Sequence, residues 1–500
     1  MMIKRFNLTI CGLGLILVTS HFFPAGAQEL ILYVDTATKQ VYTEPGKNRI
    51  KLGTFQQVKE SPVQSQSKPD TESSQPVSNT TTGLAQGEAK FQENSGQSGA
   101  ESDIRRKSEE IAAHSNEPSA EKPKEEKKWY DRIGIRGYTQ FRYSSTVSGD
   151  KDAVSYWPDK SVGEDGSFLI RRARLVIFGD INDHLSLYIQ PDFASTPSGS
   201  STGHFAQLRD AYADIHFDKN KEFRVRVGQS KIPYSFENLQ SSQNRLALDR
   251  NDAMNSCCRD ERDIGAFFYW APTHIRDRFK EVMAKNLKGS GDYGMFAFGI
   301  YNGQGANRLE GNNGVHMVTR FTYPHQFSNG QILEAGIQAL RGRFVPSTGP
   351  AGGFTPVMDA PEKGFKDERV GVHAVLYPQP FGLQAEWNWG RGPQLNDGQT
   401  MLTESSLNGG YVLATYKIDG LRWGTLFPFV KWQHFKGGQK FERNAPRNHV
   451  NDLEFGLEWQ VMKEIELTAV YHMMNRTNVA SAPYERYKAD VLRFQLQWNY

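Results

Sequence analysis

The last nine residues of the chain constrain its fold more than any other stretch. Leu492, Phe494, Leu496, Trp498 and Tyr500 alternate with four polar residues. Because successive side chains of a strand point to opposite faces, this segment has one fully apolar face and one hydrophilic face. Such a strand fits either the half-buried last strand of a soluble sheet or a barrel strand with lipid outside and water inside.

Charge and composition favour the barrel and exclude a polybasic protein. The chain has 59 Lys and Arg residues against 56 Asp and Glu residues, a formal net charge of +3. We therefore expect no nucleic-acid partner. Hydrophobic residues make up 38% of the chain and aromatic residues 12%. A low hydrophobic share with many aromatics is typical of a barrel with a wet lumen, wet loops and aromatic rims.

The N-terminus predicts export. Lys4 and Arg5 precede the apolar run Leu8–Val18, and small residues lead up to Ala27. This pattern predicts a secretory signal peptide over residues 1–27. No later segment has 18 apolar residues in a row, so a mature chain in a membrane would enter it as a closed barrel. We expect the protein in the cell outer membrane of a Gram-negative bacterium, in contact with its lipid.

The region before the barrel divides into two parts. In residues 28–58, the segments Leu30–Val34, Lys39–Tyr42 and Ile50–Phe55 predict a small periplasmic β module arranged as a short meander. Residues 59–128 are first rich in Ser, Gln and Pro and then charged, which predicts a disordered linker. A peptidoglycan or periplasmic partner for residues 28–128 is compatible with this layout.

From Trp129 onward, strand-length alternating segments recur along the chain. The segments are Ile133–Tyr143, Ser167–Gly179, Leu185–Phe193, Gln207–Phe217, Glu222–Lys231, Asp263–Trp270, Gly291–Tyr301, Val315–Tyr323, Gln331–Phe344, Glu368–Tyr377, Phe381–Arg391, Gly409–Lys417, Gly424–Phe435, Leu453–Val461, Ile465–Met474 and Lys488–Tyr500. Short turns alternate with long loops between them, as in outer-membrane barrels. Residues 129–500 are therefore predicted as an all-β, transmembrane antiparallel barrel of about 16 strands. The connection Ala271–Ser290 is unexpectedly long.

The charges of the predicted strands fall on one face of each strand. A charge at the lipid midplane costs about 2–4 kcal/mol, so this face is expected to line the lumen. Arginine offers a planar fork of N–H donors that matches phosphate oxygens, and rings of Arg or Lys suit an anion pore. The predicted anion-binding and pore-lining residues are Arg136, Arg142, Arg172, Arg174, Arg224, Arg226, Lys231, Arg245, Arg250, Arg259 and Arg262.

The same residues also allow a second interpretation, in which the lumenal cations are neutralised. Six acidic residues are available for such pairs, as in the transverse charge pairs of general porins. These residues are Asp192, Asp210, Asp214, Asp249, Asp260 and Glu261.

Two stretches resemble the phosphate-selective porin O and P family. They are Phe168–Leu175, which reads FLIRRARL, and Arg226–Glu237, which reads RVGQSKIPYSFE. The resemblance extends over Tyr130–Tyr500. It implies a homotrimer of 16-stranded barrels in the outer membrane. It also implies that the loop Ile232–Arg262 narrows the lumen and that basic residues line the passage. The function implied is passive diffusion of small anions, phosphate or related oxyanions.

Other classes of function have no positive signal in the sequence. The chain has no G-x-S-x-G, H-E-x-x-H, P-loop or C-x-x-C-H motif, so we expect neither an enzyme nor a bound cofactor. Cys257 and Cys258 are compatible with a vicinal disulfide, a pair between chains or free thiols. No further metal ligands have suitable spacing around them. A weakly selective general porin, an outer-membrane enzyme and a structural or adhesive barrel stay open as alternatives.

Overall fold

The computed structural model describes residues 30–35, 41–42, 44–55, 128–151, 166–195, 204–350, 355–358 and 363–500. The chain divides into two compact units, residues 1–118 and 119–500. The predicted signal peptide lies outside the described residues, and so does the predicted linker except for Lys128.

The first unit contains a small antiparallel sheet. Strands β1 (Leu30–Asp35), β2 (Val41–Tyr42) and β3 (Arg49–Phe55) are arranged in the order β2-β1-β3. The predicted meander order is therefore wrong, because β1 rather than β2 is the central strand. The central place gives the apolar segment of β1 hydrogen-bonding partners on both of its edges.

The second unit is a closed β-barrel that follows a 3₁₀ turn at Trp129–Arg132. Its strands are β4 (Ile133–Gly149), β5 (Ser167–Asn182), β6 (Leu185–Ser195), β7 (Phe205–His216), β8 (Phe223–Lys231), β9 (Arg262–Trp270), β10 (Phe296–Tyr301), β11 (His316–Gln326), β12 (Ile332–Phe344), β13 (Val357–Met358), β14 (Phe365–Leu376), β15 (Phe381–Leu395), β16 (Met401–Tyr416), β17 (Ile418–Leu421), β18 (Gly424–Gly438), β19 (Arg447–Met462), β20 (Ile465–Thr477) and β21 (Arg486–Asn499). The two short strands β13 and β17 are additions to a barrel of 16 antiparallel strands. The predicted fold class is confirmed.

The C-terminal strand closes the barrel. β21 pairs with β4, and the register places Gln495 opposite Arg142. Phe494 and Trp498 are 44% and 37% exposed on the outer face, whereas Arg493 is fully buried on the inner face. Closure leaves neither of these two strands as a free sheet edge.

Two connections contain helical segments. The connection between β8 and β9 carries α1 (Phe236–Leu239), α2 (Asp252–Asn255) and a 3₁₀ turn at Arg259–Glu261. The connection between β9 and β10 carries α3 (Thr273–Ala284). No helix among the described residues is long and apolar enough to cross a bilayer.

Candidate functional site

The connection between β8 and β9, residues 232–261, folds into the barrel, and we call it the lumenal loop. Nearly all of its residues are buried. Ser235 caps α1 by accepting a hydrogen bond from the Asn238 N–H, and Asn251 caps α2 by accepting one from the Met254 N–H. These caps satisfy backbone donors at the starts of both helical turns and so fix the local path of the loop.

Two charged residues of the barrel wall hold the start of the lumenal loop. Glu386 on β15 accepts hydrogen bonds from Ser235 Oγ at 3.0 Å, the Phe236 N–H at 2.8 Å and the Glu237 N–H at 2.7 Å. Lys431 on β18 donates to the Glu237 carboxylate at 2.7 Å. The loop leaves the wall at β8 and therefore reaches β15 and β18 across the lumen.

Three arginines of the wall hold the rest of the lumenal loop. Arg369 on β14 donates to Ser256 Oγ at 2.7 Å and to the Ser256 carbonyl at 3.0 Å. Arg142 on β4 and Arg493 on β21 both bind Asp249, at 3.0 and 2.5 Å. The loop thus contacts strands on several sides of the barrel and obstructs its interior.

Within the described part of the chain, six of the predicted arginines lie within 4 Å of a carboxylate. The six are Arg142, Arg174, Arg224, Arg226, Arg250 and Arg262. All six acidic residues of the alternative interpretation take part in ion pairs; these are Asp192, Asp210, Asp214, Asp249, Asp260 and Glu261. Most of the predicted cations are therefore paired with carboxylates. They do not form a continuous series of unpaired cations along the lumen.

The pair Arg226–Asp214 has the geometry of a structural contact. Arg226 donates from Nε and Nη2 to the two Asp214 oxygens at 2.7 and 2.8 Å. Its guanidinium also lies 3.7 Å from the centroid of the Tyr212 ring. A bidentate pair stacked on an aromatic ring fixes the orientation of the guanidinium.

The Glu261 carboxylate forms ion pairs with several cations at the end of the lumenal loop. Its oxygens lie 2.6 Å from Arg250 Nη1, 2.8 Å from Arg262 Nη1 and 3.7 Å from Arg209 Nη2. Burial alone would raise the pKa of Glu261, but Arg250 and Arg262 hold it below its ordinary value. The carboxylate therefore keeps its charge and binds the loop end to β7 and β9.

The other predicted cations have different surroundings. Arg172 donates to Gln140 at 2.8 Å, and Lys231 donates to the Leu239 and Gln240 carbonyls at 2.8 and 2.7 Å. Arg259 donates to the Phe441 carbonyl at 3.3 Å. Arg136 is exposed, with its guanidinium 5.3 Å from the Phe178 ring centroid.

Arg245 differs from the paired arginines. It is 6% exposed, and Nη2 donates to the Leu248 carbonyl at 3.2 Å. Its Nε and Nη1 have no hydrogen-bonding partner among the described residues. Arg245 lines a cavity of about 20 Å³ together with Glu237, Gln240 and Lys288, which is enough room for about one water-sized group. Two nitrogen atoms of this buried guanidinium therefore have no described protein partner, and the guanidinium lies beside a small cavity.

The long connection between β9 and β10 forms a second obstruction. Helix α3 buries Ile275, Phe279 and Val282, which share one helical face. Beyond the helix, Leu287 packs in a cluster with Phe236 of the lumenal loop. This connection lies at the end of the barrel that carries the short turns. The strand pattern alone did not explain the length of this connection. The structure shows that the length lets the connection cross the short-turn end of the barrel.

Ion pairs hold both sides of this connection. Lys288 pairs with Glu458 on β19, and Asp292 pairs with Arg224 at 3.1 Å and Arg276 at 2.9 Å. Burial alone would raise the pKa of Asp292, but Arg224 and Arg276 hold it below its ordinary value. Ion pairs therefore fix the connection at Asp292, just before β10, and at Lys288, which contacts β19.

Several residues that position these segments were absent from the sequence-based set. They are Arg369, Glu386, Lys431, Glu458 and Arg493. Each lies on the inward face of a later strand, and that alternation was visible in the sequence. Their partners were not visible, because each contact joins residues more than 100 positions apart.

The two adjacent cysteines, Cys257 and Cys258, are joined in a vicinal disulfide inside the lumenal loop, and both are buried. This is one of the three states that the sequence allowed. Across the described part of the chain, no group of three or more His, Cys, Asp or Glu residues is arranged to hold a metal ion.

Comparison with family models gives a match over residues 141–500 to "Phosphate-selective porin O and P". The chain belongs to this porin family. The family and the closed barrel identify an outer-membrane protein that acts as a channel rather than as an enzyme. No curated protein sequence matches this porin.

Solved structures similar to this porin are distant in sequence. The outer membrane channel DcaP of Acinetobacter baumannii is 13% identical, with a TM-score of 0.46 over 74% of this chain and 97% of that chain. OmpF of Salmonella typhi, in complex with daunomycin, is 13% identical, with a TM-score of 0.47 over 74% and 97%. The anion-selective porin from Comamonas acidovorans is 10% identical, with a TM-score of 0.41 over 74% and 99%.

Proposed function

We propose that this porin allows passive diffusion of small anions, phosphate or related oxyanions among them, through a constriction that contains unpaired arginine donors. The observation that carries the proposal is Arg245, whose buried guanidinium has two N–H positions without a partner among the described residues. A buried cation with unused donors is costly unless a polar group reaches it. A water molecule or a small anion in the adjacent cavity would meet that need, and a larger oxyanion could reach these donors only from the passage beside the loop.

A second cluster supports the same preference. Arg142 and Arg493 share the single carboxylate of Asp249, so two cations face one anion. Each guanidinium is a strong donor to oxyanions. Several weakly attractive positions in series favour entry of an anion and still allow its release.

The paired arginines have another role in this proposal. Arg174, Arg226 and Arg262 use their donors on Asp192, Asp214 and Asp210, so they shape the wall and attract an anion only weakly. This pairing also favours a second candidate function, a general porin with weak selectivity. The two candidates differ in how strongly the current depends on Arg245.

Reversal potential in a planar bilayer under a salt gradient tests the proposal. The wild-type channel is expected to favour anions, and added phosphate is expected to reduce the chloride current. Two unit charges 4 Å apart in water interact by about 1 kcal/mol. Arg245→Gln should therefore lower the ratio of anion to cation permeability about fivefold.

Arg422→Gln is the matched control, because Arg422 is exposed on a short turn and the variant removes the same charge. It should leave the reversal potential unchanged. A cation-selective wild type would contradict the anion proposal. An anion-selective wild type that does not respond to Arg245→Gln would instead favour the weakly selective channel.

We further propose a homotrimer, exported through the signal peptide at residues 1–27. The outward residues of β5–β8 are apolar and include small residues such as Ala173, Ala211 and Ala213, which suits close contact between barrels. Mass determination by light scattering in detergent tests the trimer. Co-sedimentation of the full chain with purified peptidoglycan tests the prediction for residues 28–128.

A further inference from the structure

The outer surface of the barrel carries a groove of about 630 Å³ over β10, β11, β12, β14 and β15. Phe298, Thr319, Ala339, Val370 and Trp389 are successive register partners on these five strands. The three middle residues are smaller than the two aromatic residues at the ends. The row therefore forms a floor between two raised walls.

The next outward row, towards the long loops, is charged. Arg341, Glu368 and Arg391 are register partners on β12, β14 and β15. Arg341 Nε lies 3.1 Å from Glu368 Oε1, and the Arg341 side chain is 81% exposed. The Arg391 side chain is exposed and has no hydrogen bond or ion pair within the described ranges. The row has a net positive charge and guanidinium donors available to a ligand.

The row lies near the long-loop ends of its strands, which suits the boundary between hydrocarbon and headgroups. The three charged residues lie three or four positions from the ends of their strands. At about 3.3 Å per residue, that is about 10–13 Å from the strand ends. Trp389, which is 51% exposed in the row below, suits the aromatic girdle that marks this boundary.

We propose that this groove binds a phosphorylated, acylated lipid of the leaflet at the long-loop end of the barrel. An acyl chain lies along the apolar floor at Thr319, Ala339 and Val370, and Arg341 and Arg391 hold the phosphate. The arginine fork pairs with phosphate oxygens, while the groove excludes water from the chain. The site faces away from the lumen and is independent of ion selectivity.

Charge complementarity decides between lipid classes. A zwitterionic headgroup brings its own cation close to the arginines, whereas a phosphomonoester presents only negative charge. Glu368 lies between the two arginines and repels further negative charge. The row therefore suits one anionic group rather than a continuous anionic surface.

Native mass spectrometry of the full chain tests the proposal. The detergent-solubilised protein is equilibrated with equal amounts of dioleoyl phosphatidic acid and dioleoyl phosphatidylcholine. Wild type should retain the phosphatidic acid preferentially. The double variant Arg341→Gln/Arg391→Gln should lose about 10- to 30-fold of that preference, because each basic residue near a lipid surface contributes about 1 kcal/mol.

Two further variants and one competitor complete the test. Arg132→Gln/Arg422→Gln removes two exposed arginines at the short-turn end and should keep the preference. Ala339→Phe fills the floor and should reduce retention of phosphatidic acid with both arginines intact. Equal retention of both lipids by wild type would overturn the proposal, as would an unchanged preference in the arginine double variant. Displacement of the lipid by millimolar inorganic phosphate would reassign the site to free phosphate and overturn it too.

Discussion

Lys288 and Glu458 form an ion pair across the barrel, with Nζ 2.5 Å from Oε1. Lys288 precedes β10, and Glu458 lies on β19; six of the sixteen spanning strands lie between β10 and β19. Both side chains are buried. The pair therefore holds the long connection from one wall of the barrel to the opposite wall.

Shortening this connection should open the channel. Replacing residues 273–290 with a four-residue turn removes the chain that crosses the barrel end, so the single-channel conductance should rise. Glu458→Gln keeps the connection but removes one partner of a buried pair, which costs about 3–5 kcal/mol of folding stability. It should raise the conductance less. Unchanged conductance in the shortened variant would show that ions pass elsewhere.

Glu386→Gln should release the start of the lumenal loop. The Glu386 carboxyl accepts from Ser235 Oγ and from the Phe236 and Glu237 N–H groups, and a typical hydrogen bond contributes about 0.5–1.5 kcal/mol. We expect faster hydrogen exchange at residues 235–240 and a loss of about 2–3 kcal/mol in unfolding free energy. Glu485→Gln, in an exposed loop, is the control. Equal exchange rates in both variants would argue against this anchor.

Arg226→Lys tests whether the positive charge at position 226 or the bidentate hydrogen-bond geometry stabilises the barrel. Lysine keeps the positive charge but cannot form the bidentate pair with Asp214 or stack in the same way on Tyr212. We expect a loss of about 1–2 kcal/mol in unfolding free energy in urea, with an unchanged reversal potential. A large change in reversal potential would mean that Arg226 itself contacts the permeating ion.

Acidification should loosen the ion-paired segments only below about pH 4. The pKa values of Glu261 and Asp292 lie below their ordinary values because of neighbouring arginines. Their stabilisation is therefore complete above the unfolded pKa of about 4 and is lost as the pH falls through the lower folded values. Hydrogen exchange of residues 245–261, corrected for intrinsic rates, should be flat from pH 7 to pH 5. A transition in that window would contradict the assignment.

The barrel was predictable because lipid imposes a strict alternation on every strand. All sixteen predicted segments overlap a spanning strand. The boundaries were less predictable. β4 extends to Gly149, beyond the predicted end at Tyr143, and β10 begins at Phe296 rather than Gly291. Asp292 is drawn away from the sheet by Arg224 and Arg276, and no local pattern encodes those contacts.

The lumen was less predictable than the wall. Alternation correctly gave the inward direction of residues such as Arg174 and Arg226, but it could not give their partners. Arg493 illustrates the limit: its inward phase was clear, whereas its contact with Asp249 joins residues 244 positions apart. The cavity beside Arg245 depends in the same way on how the loop folds across the barrel.

The shared contact of Asp249 links two events in the assembly of the molecule. Arg142 and Arg493 lie on the first and last barrel strands, which pair only when the cylinder closes. Asp249 can therefore contact both cations only when the loop lies inside the barrel and the seam is closed. Each step favours the other, so an unclosed sheet should hold the loop weakly. A barrel that closes with the loop outside should have a less stable seam.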